Sequence, residues 1–233
     1  MTRSLAWARA MAVDYDDTLA EDGVVEPAVL DGLQRLKASG RRLVLVTGRE
    51  IDDLVRVFPA LAVFDRIVGE NGAVLYHPET RESIALAAPP RDDFIARLRR
   101  EHVTPLSVGR VIVATRASHE TRVVDAIRAL DLNLVVIRNK EAVMVLPRGI
   151  NKGTGLREAL GQLQISPQAV IGVGDAENDF DLLAACGCGV AVANALPALA
   201  QRADMVTRSP GGHGVLELID GLFASGPDTR LAL

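Results

Sequence analysis

Aromatic residues are scarce in this chain: one tryptophan, two tyrosines and five phenylalanines among 233 residues. That scarcity argues against a site that stacks a nucleobase between rings. Cysteine is scarcer still, with Cys186 and Cys188 the only two, set among Ala, Gly and Val. A CxC pair can bind metal or cycle redox state, but no second Cys/His pair accompanies it. It reads as buried structure in a reducing, cytoplasmic compartment. Excess positive charge is also missing. The formal net charge is −4, whereas a nucleic-acid backbone demands a basic stripe, so nucleic acid is not an expected partner. No apolar run approaches the ~18 residues of a membrane span. The opening residues, Met1 to Trp7, hold no h-region for a secretory leader. No internal repeat or low-complexity tract interrupts the chain.

What the chain has is an ordinary globular make-up, 48% apolar and 24% charged. Its length suits one large domain or a domain carrying a smaller insert. Short Val/Ile/Leu runs alternate with amphipathic stretches. Strands are expected at Trp7–Val13, Arg41–Val46, Phe64–Val68, Ala169–Val173 and Gly189–Ala193. Helices are expected at Glu26–Ser39 (opened by Pro27 and followed by Gly40), from near Glu50, and at Asn151–Leu163, Asp179–Ala185 and Val215–Phe223. This order predicts an α/β fold with a doubly wound parallel sheet covered on both faces. The middle reads differently. Beyond Pro89-Pro90 come a helix at Arg91–His102, a strand at Arg110–Thr115 and a helix at Ser118–Leu130. Two further strands, Asn133–Arg138 and Ala142–Leu146, are close enough for an antiparallel hairpin around Asn139-Lys140-Glu141. The expected organisation is a core from residues 1–83 and 149–233, with an inserted α+β unit at 84–148. The tail from Ser225 is expected to be loosely ordered.

The most informative residues follow the first strand: Val13-Asp14-Tyr15-Asp16-Asp17-Thr18. Adjacent carboxylates repel, and placing them at a strand end is costly unless a cation or hydrogen bonds compensate. Asp14 and Asp16 are spaced i, i+2, which in extended backbone puts both side chains on one face. One carboxylate can then attack while the other moves a proton, with a hard cation screening the pair. The stretch is no calcium loop, because Leu19 and Val25 stand where such a loop needs Gly and Glu. Three more groups sit just past expected strands or open expected helices, where ligands bind in open parallel sheets. Thr47-Gly48 offers a hydroxyl and a backbone N–H suited to a phosphate oxygen. Lys152 stands at a helix start, where a cation opposes the helix dipole; this points to an anionic partner, although a solvated surface Lys reads the same way. Gly172-Val173-Gly174-Asp175 lacks the third Gly of a dinucleotide fingerprint, because Glu177 stands there. Asp175 and Asp179 read as a cation site in preference to helix caps.

Together and in this order, the four groups resemble the motifs of the haloacid dehalogenase superfamily of phosphohydrolases, over most of the chain. The resemblance implies that Asp14 is the nucleophile and forms an aspartyl-phosphate, and that Asp16 is the acid/base. It implies that Thr47 and Lys152 hold the transferring group, with Gly48, Asn71 and Asn178 around it. It places Mg²⁺ on Asp14, the Asp16 main-chain carbonyl and Asp175, with Asp179 in support. The chemistry agrees, since a phosphate monoester is a poor electrophile for a carboxylate until its charge is neutralised. Superfamily members that cleave carbon–halogen bonds lack the second carboxylate, so Asp16 argues for phosphate. Asp17 departs from the pattern, because many relatives have Gly there; it is expected to face solvent.

The insert lies between the second and third motifs and follows Glu70-Asn71-Gly72-Ala73. It resembles the C2-type cap of the subgroup that includes Cof-like sugar phosphatases and phosphoglycolate phosphatases. Such caps close over the leaving group and choose the substrate. Arg110, Arg116, His119, Arg138, Lys140 and Arg148 are cap-side cations able to grip a second anionic group, although most are expected to be solvated. The resulting expectation is a Mg²⁺-dependent phosphatase of a small phosphorylated metabolite, a sugar phosphate first and phosphoglycolate or another phospho-acid second. A phosphomutase and a catalytically idle phosphometabolite-binding module are the alternatives. Oligomeric state is not legible in the sequence.

Overall fold

The computed structural model describes Leu5 and residues 7–224; the expected loose tail from Ser225 lies outside the described residues. The large unit begins with β1 (Ala10–Val13), α1 (Pro27–Ala38), β2 (Arg42–Val46), α2 (Ile51–Val57), β3 (Arg66–Gly69), β4 (Val74–His77) and β5 (Glu82–Ala85). The smaller unit follows as α3 (Asp92–Arg100), β6 (Leu106–Val108), β7 (Val113–Arg116), α4 (Glu120–Ala129), β8 (Leu134–Asn139) and β9 (Ala142–Pro147). The chain returns to the large unit through α5 (Lys152–Leu163), β10 (Val170–Gly174), α6 (Phe180–Ala184), β11 (Cys188–Ala191), α7 (Pro197–Ala200), β12 (Met205–Val206) and α8 (Gly211–Ala224).

The core sheet runs in the order β12-β11-β10-β1-β2-β3-β4-β5. Its central strands read Ala-Met-Ala-Val, Val-Ile-Gly-Val-Gly and Cys-Gly-Val-Ala and are buried on both faces, as parallel strands between two helical layers must be. Alternate residues feed alternate layers. Met11, Val13, Leu43 and Leu45 pack with Leu33 and Leu36 of α1 and Leu218, Ile219 and Leu222 of α8. Ala10, Ala12, Val44 and Val46 pack with Leu156 and Leu160 of α5 and Leu182 of α6. Each such fully buried Leu or Ile stabilises the fold by about 2 kcal/mol.

The sheet is not wholly parallel as expected. β3 pairs antiparallel with β4, and β4 with β5, so two antiparallel strands close one edge and the core sheet runs on past the expected boundary at residue 83. The first strand is also shorter than expected. Ala8 N–H closes a turn onto the Leu5 carbonyl, which leaves Trp7 in that turn and β1 to begin at Ala10. The smaller unit is an antiparallel sheet, β6-β7-β9-β8, with its own core of Phe94, Ile95 and Leu98 from α3 and Val123 and Ala126 from α4 against Val113, Val143 and Val145. The expected hairpin is present as β8 and β9, with Lys140 in its turn at φ +52°. β6 was not legible, because three residues after a proline carry little periodicity. Among the described residues no helix is long and apolar enough to cross a membrane.

β1 lies between β10 and β2, so the chain winds away from it in both directions. Beyond the carboxyl ends of such a pair the crevice opens. Asp14, Thr47 and Asp175 each directly follow one of these strands.

Candidate active site

The structure brings Asp14, Lys152, Asp175 and Asp179 together, with Thr47 at the end of the neighbouring strand. Asp14 follows β1, with its N–H bonded to the Val173 carbonyl at 3.0 Å. Lys152 opens α5, whose start is fixed by a reciprocal cap: Asn151 Oδ1 accepts from Thr154 N–H at 2.8 Å, and Thr154 Oγ1 accepts from Asn151 N–H at 3.0 Å. The Lys152 side chain is 1% exposed and donates to Asp14 Oδ1 and Asp179 Oδ1, both at 2.6 Å. It is therefore no solvated surface lysine. Asp179 is anchored in turn, its Oδ2 accepting from the N–H groups of Asp175 at 2.9 Å and Ala176 at 3.0 Å. Thr18 donates its hydroxyl to Asp175 Oδ1 at 3.0 Å. Thr47 is buried at the end of β2, its Oγ1 accepting from Arg49 N–H at 3.1 Å. Asn178 donates Nδ2 to Asn71 Oδ1 at 2.9 Å, while its own buried Oδ1 has no partner.

Oxygen atoms of Asp14, Asp175 and Asp179 all lie within 4.8 Å of one another. Burial and the charges of Asp179 and Asp175 hold Asp14 well above the ordinary carboxylate value, against the pull of Lys152. Asp175 is likewise pushed up, first by burial. Burial alone would depress the Lys152 ammonium, but Asp14 and Asp179 outweigh it and its pKa stands above the ordinary lysine value. Two buried carboxylates, Asp14 and Asp179, thus share one buried ammonium, and a third, Asp175, lies against them. The all-oxygen donor set and its unrelieved repulsion fit a hard divalent cation.

Asp16 stands apart from this cluster. Its carboxylate is gripped by Arg49, from Nε at 2.9 Å and from an Nη at 2.7 Å. Arg49 also bonds Asp53 at 2.6 Å and lies over the Tyr15 ring. Arg49 escaped the sequence reading, where it was only the residue after Thr47-Gly48. Asp17 is half-exposed but does not simply face solvent: Lys140, from the hairpin turn of the cap, pairs with Asp17 and reaches Asp175 Oδ2 at 2.9 Å. The other cap cations lie elsewhere. Arg138 pairs with Glu120, Arg148 bonds Asn133, Arg110 bonds Ser83, His119 meets Thr104, and Arg116 is exposed. Met144 of β9 covers Gly48 and Asn71. On the Arg49 side, a cleft of about 530 Å³ runs between Gly48, Arg49 and Asp53 on the core and Ser107, Ile112 and Ala114 on the cap.

The chain as a whole is similar to known phosphatases. The phosphoglycolate phosphatase of Methanothermobacter thermautotrophicus is 30% identical over 217 residues, covering 91% of this chain and 97% of that one. Phosphoglycolate phosphatase 2 of Saccharolobus solfataricus is 29% identical over 224 residues, covering 92% of each. The fold is shared with a haloacid dehalogenase-like hydrolase from Bacteroides thetaiotaomicron (TM-score 0.77, 20% identity, 91% of this chain and 98% of that one). It is shared equally with the subclass IIB sugar phosphatase BT4131 (TM-score 0.77, 18% identity, 91% and 98%). The family model of haloacid dehalogenase-like hydrolases matches residues 11–98 and 96–219, and by that match the chain belongs to this family, as a phosphohydrolase.

Proposed function

We propose that the protein is a Mg²⁺-dependent phosphatase that hydrolyses a small phosphorylated metabolite through an aspartyl-phosphate on Asp14. The observation that carries this reading is the buried carboxylate cluster around Lys152, with Asp14 at the strand end. Asp14, Asp175 and the Asp16 main-chain carbonyl would hold the cation, with Asp179 behind them. When bound, Mg²⁺ supplies charge neutralisation of the phosphoryl oxygens. Lys152 adds a second positive charge, and Thr47 and Gly48 orient the group in line with Asp14. An Asp14 oxygen attacks phosphorus as the bond to the leaving oxygen breaks, and Asp16 gives that oxygen its proton. Asp16 then takes a proton from water, whose oxygen attacks phosphorus. The aspartyl bond breaks, releasing inorganic phosphate and restoring Asp14. The Arg49 pair must open for Asp16 to act. Asn178 Oδ1, an acceptor, suits a hydrogen-bond donor better than a phosphate oxygen.

For the substrate we place phospho-acids such as phosphoglycolate ahead of the sugar phosphates that the sequence favoured. Lys140 puts a cap cation at the site's edge, and relatives covering almost the whole chain bear the phosphoglycolate phosphatase name. Hydrolysis of p-nitrophenyl phosphate with Mg²⁺ tests the reaction, and EDTA should abolish it. Asp14→Asn should lose at least about 10³-fold in kcat, and wild-type turnover in that variant would refute the nucleophile. A panel of phosphometabolites, phosphoglycolate and hexose phosphates among them, tests the substrate class.

A further inference from the structure

Glu70 belongs to the core, in the turn between β3 and β4, yet its carboxylate ends in the cap. It is 2% exposed. One oxygen accepts from the N–H of Arg110 at 2.9 Å, and the other from Val111 at 2.8 Å and Ile112 at 2.9 Å. Successive backbone N–H groups converging on one carboxylate form an anion-holding concavity, and bonds to an ionised acceptor are the stronger kind. Gly109 permits the approach, since a Cβ there would lie 2.8 Å from the Glu70 carboxyl carbon. The next residue, Asn71, faces the other way. Its N–H donates to the Thr47 carbonyl at 3.0 Å, and its side chain accepts from Asn178. One short turn therefore holds the cap with Glu70 and, with Asn71, ties Thr47 to Asn178 on the core. Both residues keep left-handed backbone, at φ +50° and +54°, which fixes their opposed directions. Ile112, whose own N–H is gripped, and Ala114 just beyond it form the cap wall of the cleft opposite Gly48 and Arg49.

We propose that Glu70 is a positioning residue: its carboxylate is the fixed joint on which the cap docks, and it sets the cap wall of the cleft relative to Gly48 and Arg49, so that the leaving group of a substrate entering there is held in place. It touches no reacting atom and acts through the segment from Arg110 to Ala114. The kinetic part of this proposal rests on the phosphatase reading above; the joint itself does not.

Two variants test it. Glu70→Gln keeps the size but presents an amide N–H₂ to a backbone donor. Gly109→Ala keeps the carboxylate and pushes the cap off it. Amide hydrogen exchange should show lost protection across 109–112 in both. With p-nitrophenyl phosphate as substrate, KM should rise about tenfold while kcat stays within about twofold. The inhibition constant of inorganic phosphate, which needs core groups only, should also stay within about twofold. Unchanged protection overturns the joint. An unmoved KM, or KM and the phosphate inhibition constant rising together, overturns the positioning role and leaves a merely structural contact. A wild type that cannot turn over p-nitrophenyl phosphate sinks the phosphatase reading instead, and hydrogen exchange then decides the joint alone.

Discussion

At the scale of single residues, the site is a charge problem solved in part by the protein. Asp14 is held well above the ordinary value of 3.8 by burial and by Asp179 and Asp175. A folded-state pKa above the unfolded one means that folding takes up a proton. The contribution is therefore full below the unfolded pKa and is lost as pH rises through the folded one. Asp14→Asn removes this dependence. In EDTA, the wild type should lose stability relative to Asp14→Asn as pH climbs from about 4 toward neutrality, read by urea unfolding across that range. A gap moving the other way would contradict a repelled, buried carboxylate. Mg²⁺ should narrow the gap at neutral pH, because the cation binds the deprotonated carboxylates. Lys152 shows the same balance from the cationic side. Lys152→Ala leaves buried carboxylates without their shared partner and should lose about 3–5 kcal/mol in metal-free buffer. A loss under about 1 kcal/mol would mean that the pairs with Asp14 and Asp179 are not the compensating charge.

At the scale of elements, the strand ends that carry Asp14, Thr47 and Asp175 were legible because buried Val/Ile/Leu runs stop at polar residues. The start of α5 was legible from its pattern. The edge strands β4 and β5 were not, since a short antiparallel pair after a turn looks like a linker when its partner is unknown. The packing of α5 against that turn was equally hidden. Gly72 holds φ +104°, and a Cβ on it would lie 1.9 Å from the Asn151 carbonyl oxygen. This contact sets how deep the first turn of α5 sits, and hence where Lys152 points. Gly72→Ala should cost on the order of 2–4 kcal/mol, from strained backbone and overpacking together. Activity should fall with it, even at temperatures where the variant remains folded by circular dichroism. An alanine tolerated within about 0.5 kcal/mol would show that α5 can slide without penalty.

At the scale of the whole molecule, the unread parts are those that depend on how the cap meets the core. Glu70 binds backbone N–H groups, which have no side-chain signature. Lys140 was one of six cap cations, and only the docked cap selects it. Arg49 gained its meaning from Asp16, far away in sequence. Asp17, expected to face solvent, instead shares Lys140 with Asp175. Two roles for that lysine make opposite predictions. If Lys140 grips a second anion on the substrate, Lys140→Met should raise KM for phosphoglycolate about tenfold. Asp17→Gly should then lower KM or leave it, because it removes a competitor for the ammonium. Glycine also accepts the backbone at φ +57° without strain. If the lysine is instead a strut between cap and core, both substitutions should raise KM alike, and the double variant should be no worse than either single one. We expect the first pattern, because Asp175 and Asp17 already crowd the lysine with more negative charge than one ammonium balances, leaving the cap poised to exchange a carboxylate of the protein for one on the substrate.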